Sequence, residues 1–270
     1  MKHILCIALV AFGICTGQTQ GFFPDDSNDR QFYFYWGWNR CAFTQSDIHF
    51  EGSGFDFRLM DVKARDRQST FDVKVYLNPG LMTIPQYNFR LGWFFSPKYQ
   101  VSFGIDHMKY VVVQDQEVPI KGEIGSSSPD FAGKYVGQPI KLTTNFLRFE
   151  HTDGLNYVNL ELRRMDRLFG YKWINFYLLE GAGAGFLLPR TNTTLLGMER
   201  YDEFHLSGFG LGAMAGLNMR LGKHFFIQTE GKIGYIYMPD IRITKSEMDK
   251  ADQQFLFAQW NVVFGGTFQF

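Results

Sequence analysis

Six histidines are spread along the chain, and their neighbours decide what chemistry they could do. Asp106 and His107 are adjacent in SFGIDHMKY, and His151 stands two residues before Asp153 in FEHTDG. His49 follows Ser46 and Asp47, and these three fall, with His107, His151 and His205, near the expected extracellular strand ends or loops. These are the parts of a serine hydrolase or acyltransferase. In such a site the imidazole takes the hydroxyl proton and a carboxylate orients the ring. The triad is recognised by geometry rather than by order along the chain, and no Ser–His spacing here marks a motif. The blander reading is that these are rim and loop histidines making ordinary hydrogen bonds. None falls at a tight ligand spacing, so no metal site is expected. GAGAG (181–185) has the glycines of a nucleotide loop. The dinucleotide fingerprint needs a strand–turn–helix setting, however, and no helical pattern follows it.

A second set of residues points to electrostatics rather than covalent chemistry. Arg58, Arg90, Glu161, Arg163, Glu180, Glu230 and Lys232 fall on the polar sides of alternating segments. Asn88, Asn159, Asn218, Gln228, Gln259 and Asn261 share those sides. Four bases stand against three acids, which is close to balance. If these faces line a narrow interior, the charges are desolvated and must pair. The expected outcome is a salt-bridged plug; a narrow conduit is the functional alternative.

The elements that would position both sets are strands. In FLFAQWNVVFGGTFQF, Leu256, Ala258, Trp260, Val262, Phe264, Phe268 and Phe270 share one face, and Gln259, Asn261, Thr267 and Gln269 the other. YNFRLGWFF, LNYVNLELRR, LSGFGLGAMAGLNMR and KHFFIQTEGKIGYIYM alternate in the same way. In a soluble sandwich the apolar face would be the core. Three features favour the inverse, with apolar residues facing lipid: glycines and opposite charges on the polar faces, strands of roughly ten or more residues, and aromatics near strand ends. Ten strands are expected, at about 30–40, 51–64, 71–78, 86–95, 99–113, 154–168, 174–188, 204–220, 224–238 and 255–270. Their connections alternate between short turns (RDRQST, SPK, FGYKW, LGK) and longer stretches, as in outer-membrane barrels. The weakest of the ten are 30–40 and 71–78, and without them the count falls to eight. An even count puts both termini on the short-turn, periplasmic side.

Composition agrees with a β-rich chain. Aromatics make up 17% and glycines number 28, yet no internal apolar run approaches the length of a membrane helix. The net charge is +0, so there is no basic footprint for nucleic acid. MKHILCIALVAFGICTGQTQG has a charged start and an apolar run from Ile4 to Cys15, too short to span a bilayer. It has the layout of a secretory signal peptide over 1–17, with Gln18 first in the mature chain. Cys15 raises a lipoprotein signal as an alternative, although Phe12, Gly13 and Ile14 match one poorly. Cys41 is then the lone mature cysteine, and no internal disulfide is possible. The expected organisation is signal 1–17, periplasmic segment 18–29 and an antiparallel transmembrane β-barrel over 30–270.

The terminal strand, with Trp260, Phe264, Phe268 and Phe270 on its outward set, resembles the last strand of Gram-negative outer-membrane β-barrel proteins. That resemblance implies that the barrel-assembly machinery reads this segment. WGWNR (36–40), SDIHF (46–50) and HTDGLNY (151–157) are similar to stretches of uncharacterised outer-membrane proteins and imply no chemistry. Counting on from Val101, Phe103 and Ile105, His107 and Lys109 continue the outward set. They are expected near the outer headgroups, where lipopolysaccharide phosphates could pair with Lys109 and protonated His107. The rival is a bulge between Ile105 and His107 that turns both inward. The expected function is therefore a structural, scaffold or restricted-pore barrel with a mostly plugged lumen, without a cofactor, partnered by outer-membrane lipid and lipopolysaccharide. The alternative is a rim hydrolase or acyltransferase acting on those lipids.

Overall fold

The computed structural model describes residues 30–76, 78, 80–81 and 84–269. The expected signal peptide 1–17, the segment 18–29 and Phe270 lie outside the described residues. The strands are β1 (Gln31–Phe43), β2 (Ser46–Gly52), β3 (Phe55–Val62), β4 (Ala64–Arg65), β5 (Tyr87–Phe94), β6 (Tyr99–Val112) and β7 (Glu117–Ile124). They continue with β8 (Gly133–Lys141), β9 (Leu147–Tyr171), β10 (Ile174–Leu195), β11 (Tyr201–Phe204), β12 (Gly208–Leu221), β13 (Phe225–Arg242) and β14 (Lys250–Gln269). A four-residue helix, α1 (Val73–Tyr76), interrupts them.

Eight strands form a closed antiparallel ring in the order β1–β5–β6–β9–β10–β12–β13–β14, and β14 returns to β1. The closing seam has thirteen residue pairs, from Gln31↔Gln269 to Phe43↔Phe257. Closure leaves these strands no open edge, which is the general solution to unpaired backbone donors and acceptors. Past this seam β14 exchanges partners. Its first residues pair with β2, Lys250↔Glu51 through Gln253↔Ile48, and the sheet continues through β3, β7 and β8. The result is an eight-stranded barrel with a sheet-built cap at its long-connection end.

Alternation determines what the barrel wall shows. On β9, Leu160 and Leu162 are 58% and 56% exposed, while Glu161 and Arg163 between and after them are 4% and 1%. Phe32, Phe34, Leu91, Trp93, Phe103, Leu211, Leu217, Ile233, Trp260 and Phe268 are likewise exposed on the outside. The ring is therefore apolar outside and polar within, the inverse of a water-soluble sandwich. β9 has 25 residues and β10 has 22. A tilted bilayer crossing needs only about 9–11 residues per strand, so both run well beyond one such belt.

The interior has three layers. Near the short turns, Tyr33, Phe94, Met165, Tyr177, Leu179 and Phe226 form a small apolar cluster. In the cap, a larger one gathers Ile48, Phe50, Phe57, Leu59, Phe146, Phe149, Ile241 and Phe255. Charged side chains lie between them.

The ring contains eight strands, not ten, and the two losses are not the weakest pair. The segment 30–40 is present as β1. The segment 51–64 instead belongs to the β2–β3 hairpin, which turns at Gly54 with φ at 95°. Phe55, Phe57, Leu59 and Val62 alternate because one face of that hairpin covers the cap core. The segment around 71–78 holds α1, whose first turn is capped by Asp72: its Oδ1 accepts from Lys74 N at 2.9 Å.

Candidate functional site

The polar layer is built from six ring strands. β1 supplies Tyr35, β5 Arg90, β6 Asp106, β9 Glu161 and Arg163, β13 Glu230 and Lys232, and β14 Asn261. Strand parity places each of them inward. Arg90, Asp106, Asn261 and Glu230 are at most 1% exposed, and Arg163, Lys232 and Glu161 at most 4%.

Three cations meet three carboxylates there. Glu161 is the hub: its oxygens lie 3.1 Å from Arg90 Nη2, 2.6 Å from Arg163 Nε and 2.7 Å from Lys232 Nζ. Arg163 Nη1 also reaches Glu230 Oε2 at 3.1 Å. Lys232 Nζ donates to Asp106, whose other oxygen is 3.7 Å from Arg90. Neutral groups satisfy what remains. Tyr35 OH accepts from Arg90 Nε at 3.0 Å and donates to Glu230 at 3.3 Å. Asn261 and Gln228 donate to Glu230 at 3.0 and 2.8 Å, and Asn159 donates to Asp106 at 3.1 Å. A buried ion loses several kcal/mol of hydration, which close pairing and full hydrogen bonding can recover.

Glycines give the ions their space. Gly183 and Gly181 of β10 face inward opposite Glu161 and Arg163. A Cβ on Gly183 would sit 2.5 Å from Glu161 Cγ, and one on Gly181 would sit 2.9 Å from Arg163 Cγ. The GAGAG run is thus the smooth wall against which the charges pack. Below the layer, a cavity lined by Tyr33, Gln100, Arg220 and Gln228 among others has about 10 Å³. That is room for about one water molecule.

Of the seven charges expected inside, the structure brings together Arg90, Glu161, Arg163, Glu230 and Lys232. Two expectations need correction. Arg58 lies on β3, outside the ring, and is exposed beside His49 of the cap. Glu180 lies on the outward set of β10 between Leu178 and Ala182, opposite Arg164 of β9. Asp106 is the member that sequence reasoning missed, having been weighed only as an acid near the rim. The signal was available: Gln100, Ser102, Gly104 and Asp106 are the inward parity of β6.

The histidines are separately engaged. His107 keeps outward parity but is buried, stacked on Tyr87 with ring centroids 4.8 Å apart, and its Nδ1 is 2.8 Å from Asn156 Oδ1. The strand irregularity falls later, between Met108 and Tyr110, not between Ile105 and His107. Lys109 donates its Nζ to Ile84 O at 2.8 Å. Both residues line an outer-face hollow of about 430 Å³ with Tyr87, Asp153, Asn156 and Phe204. His151 Nδ1 is 3.0 Å from Thr191 Oγ1, but both residues are buried, at 0% and 2% exposure, so the pair meets no substrate surface. Ser46 Oγ bonds Tyr110 and Gln253 rather than a histidine. His205 Nε2 is 2.9 Å from Asp240.

In the cap, His49 bridges two strands, 2.8 Å from Asp252 of β14 and 2.8 Å from Asp56 of β3. Partial burial disfavours its charged form, but the two carboxylates outweigh this and raise its pKa. Among the described residues, no group of three or more His, Cys, Asp or Glu side chains could hold a metal ion.

On β14, Trp260 is 60% exposed and donates Nε1 to Thr229 Oγ1 at 2.8 Å. Phe264 meets Trp38 edge-on, and Phe268 stacks on Phe34 at 5.7 Å across the seam.

No protein-family model and no curated protein matches the sequence. Solved structures similar to the chain include the outer membrane protein OprG from Pseudomonas aeruginosa. It is 11% identical, with 90% of this chain and 98% of that one covered and a TM-score of 0.40. Ail, the attachment invasion locus protein of Yersinia pestis, is 12% identical over 89% of this chain and 99% of its own, with a TM-score of 0.36. The outer membrane protease OmpT from Escherichia coli is 6% identical over 93% of this chain and 100% of its own, with a TM-score of 0.26.

Proposed function

We propose that the chain is an outer-membrane β-barrel whose interior is closed by its own ion cluster and whose role is to hold the cap at the membrane surface rather than to conduct. The observation that carries this reading is the buried set of three cations and three carboxylates filling the ring between two apolar clusters. A water-filled conduit would leave such side chains hydrated. The outward apolar belt and the closed ring support membrane insertion, because lipid leaves no partner for an open strand edge. Trp260, Phe264, Phe268 and Phe270 then serve as the signal read during assembly, on a strand that pairs with the first one. In this reading Lys109, which lines the outer-face hollow together with His107, meets lipid or lipopolysaccharide phosphate.

Single-channel recording of the refolded protein in a planar bilayer tests the closed interior. Insertion without resolved conductance steps is expected, together with a heat-modifiable shift on gels. A steady open-channel current would overturn the closed-barrel reading. Release of acyl chains from lipopolysaccharide by the protein would favour the rim enzyme instead.

A further inference from the structure

Between β4 and β5 the chain runs against the outer wall of the ring, and both ends of this stretch are pinned at one level. Gln68 donates its Nε2 to Asn39 O at 2.8 Å and accepts from Gln86 N at 2.9 Å, and Asp66 accepts from Cys41 N at 3.1 Å. Lys109 Nζ holds Ile84 O at 2.8 Å. That level is the upper limit of the outward apolar belt. One outward row of the wall is Phe34, Leu91, Phe103 and Leu160, and the next is Trp36, Phe89, Ile105 and Val158. One step further, Trp38 is opposite Tyr87 and His107 opposite Asn156, and the outward residue that follows on β1 is the exposed Arg40. Aromatic and amphipathic side chains replacing aliphatic ones is the composition of a barrel's interfacial girdle.

The described residues of the stretch leave apolar side chains in the open: Phe71 is 69% exposed, Val73 55%, Ile84 47% and Leu81 36%. Single exposed apolar residues are ordinary on a protein surface. These are continuous with the belt. Phe71 packs on Tyr76 with ring centroids 5.0 Å apart, Tyr76 on Trp38 at 5.5 Å, and Trp38 on Trp36 at 4.9 Å and Phe264 at 5.6 Å. Tyr76 is buried and its OH donates to Ser69 O at 2.7 Å, so α1 is fixed to the wall while Phe71 and Val73 stay outside. Ile84 edges the outer-face hollow beside Tyr87 and Phe204. We propose that Phe71, Val73, Leu81 and Ile84 form a membrane-seating surface, taken up by the headgroup–acyl boundary of the outer leaflet, which sets the depth of the barrel and the height of the cap. The proposal rests on the outer-membrane reading above. Position selects lipid as the occupant: the surface is tied to the girdle row, and its rings lead directly into lipid-facing ones. Apolar side chains at that boundary gain by leaving water, and aromatic rings favour the headgroup level.

Nitroxide labels at Phe71→Cys and Ile84→Cys test this, in a Cys41→Ser background of the mature chain refolded into phosphatidylcholine vesicles. Their collision rates are read with oxygen, which concentrates in lipid, and with a water-soluble nickel chelate. Leu160→Cys on the belt is the lipid reference, and Val136→Cys on β8 of the cap, where Val136 is 86% exposed, is the water reference. The oxygen-to-chelate ratio at 71 and 84 should be severalfold above that at 136 and below that at 160, and independent of the protein-to-lipid ratio. Values equal to that at 136, with 160 still lipid-like, overturn the proposal and leave the barrel in its membrane. A water-like value at 160 as well removes the outer-membrane reading and the proposal with it. Protection at 71 and 84 that is lost as the protein is diluted in lipid assigns the surface to a second copy of the chain and overturns the lipid seat.

Discussion

At the residue scale, Glu161 and Glu230 do different amounts of work in the same layer. Glu161 touches all three cations, whereas Glu230 touches one cation, Arg163, and three neutral donors. Removing one partner of a buried pair costs about 3–5 kcal/mol, because the other charge stays buried. Glu230→Ala leaves Arg163 its contact with Glu161, so urea titration of the refolded variant should place it near the low end of that range. Glu161→Ala strips Arg90, Arg163 and Lys232 together and should be the more damaging. If Glu230→Ala shifts stability by less than about 0.5 kcal/mol, that side chain is hydrated and the closed layer is wrong. Parity made Arg90, Glu161, Arg163, Glu230 and Lys232 legible in the sequence, because each has at least one apolar or small neighbour on the opposite face. It failed at Glu180, where Tyr177, Leu178 and Leu179 are all apolar and do not reveal which way the strand faces. The ladder also shifts register between Phe176 and Tyr177.

At the element scale, the β2–β3 hairpin shows why alternation could not separate the barrel from its cap. A cap strand buries one face against a core and wets the other; a ring strand buries one face and shows lipid the other. Both give period two. Phe55, Phe57 and Leu59 therefore look like a lipid-facing row while they face inward against Phe50 and Phe146. The hairpin is tied to the ring strand β14 by His49 between Asp56 and Asp252, and by Lys250 on Glu51 at 2.9 Å. Because folding raises the His49 pKa, the protonated ring favours the folded cap. That contribution is complete below the unfolded value of about 6.5 and is lost as pH rises through the raised folded value. The melting difference between the parent protein and His49→Asn should accordingly shrink as pH goes from about 5.5 to 9. A difference independent of pH would mean that the bridge holds equally well without the proton.

At the scale of the whole molecule, the chain divides its two ends by chemistry. Short connections close one end, where the ring is lined by a basic basin and a small aromatic cluster. The other carries the cap, with its own apolar core and the β7–β8 hairpin on the far side of the sheet. In an outer-membrane barrel the short turns face the periplasm and the longer connections the exterior. The proposed orientation, with the short turns in the periplasm and the cap outside, is one that single cysteines can check. Ser126 is exposed in the turn between β7 and β8, and the Lys98 side chain is 58% exposed in the short turn between β5 and β6. In intact cells a membrane-impermeant maleimide should label Ser126→Cys promptly. Lys98→Cys should react only after the outer membrane is opened, and the parent protein, with half-buried Cys41, sets the background. Prompt labelling of Lys98→Cys with Ser126→Cys protected would invert the molecule in the membrane. Equal labelling of both in a soluble fraction would remove it from the membrane altogether, and the exposed Leu160, Trp260 and Phe268 would then have to be covered by another protein surface instead of lipid.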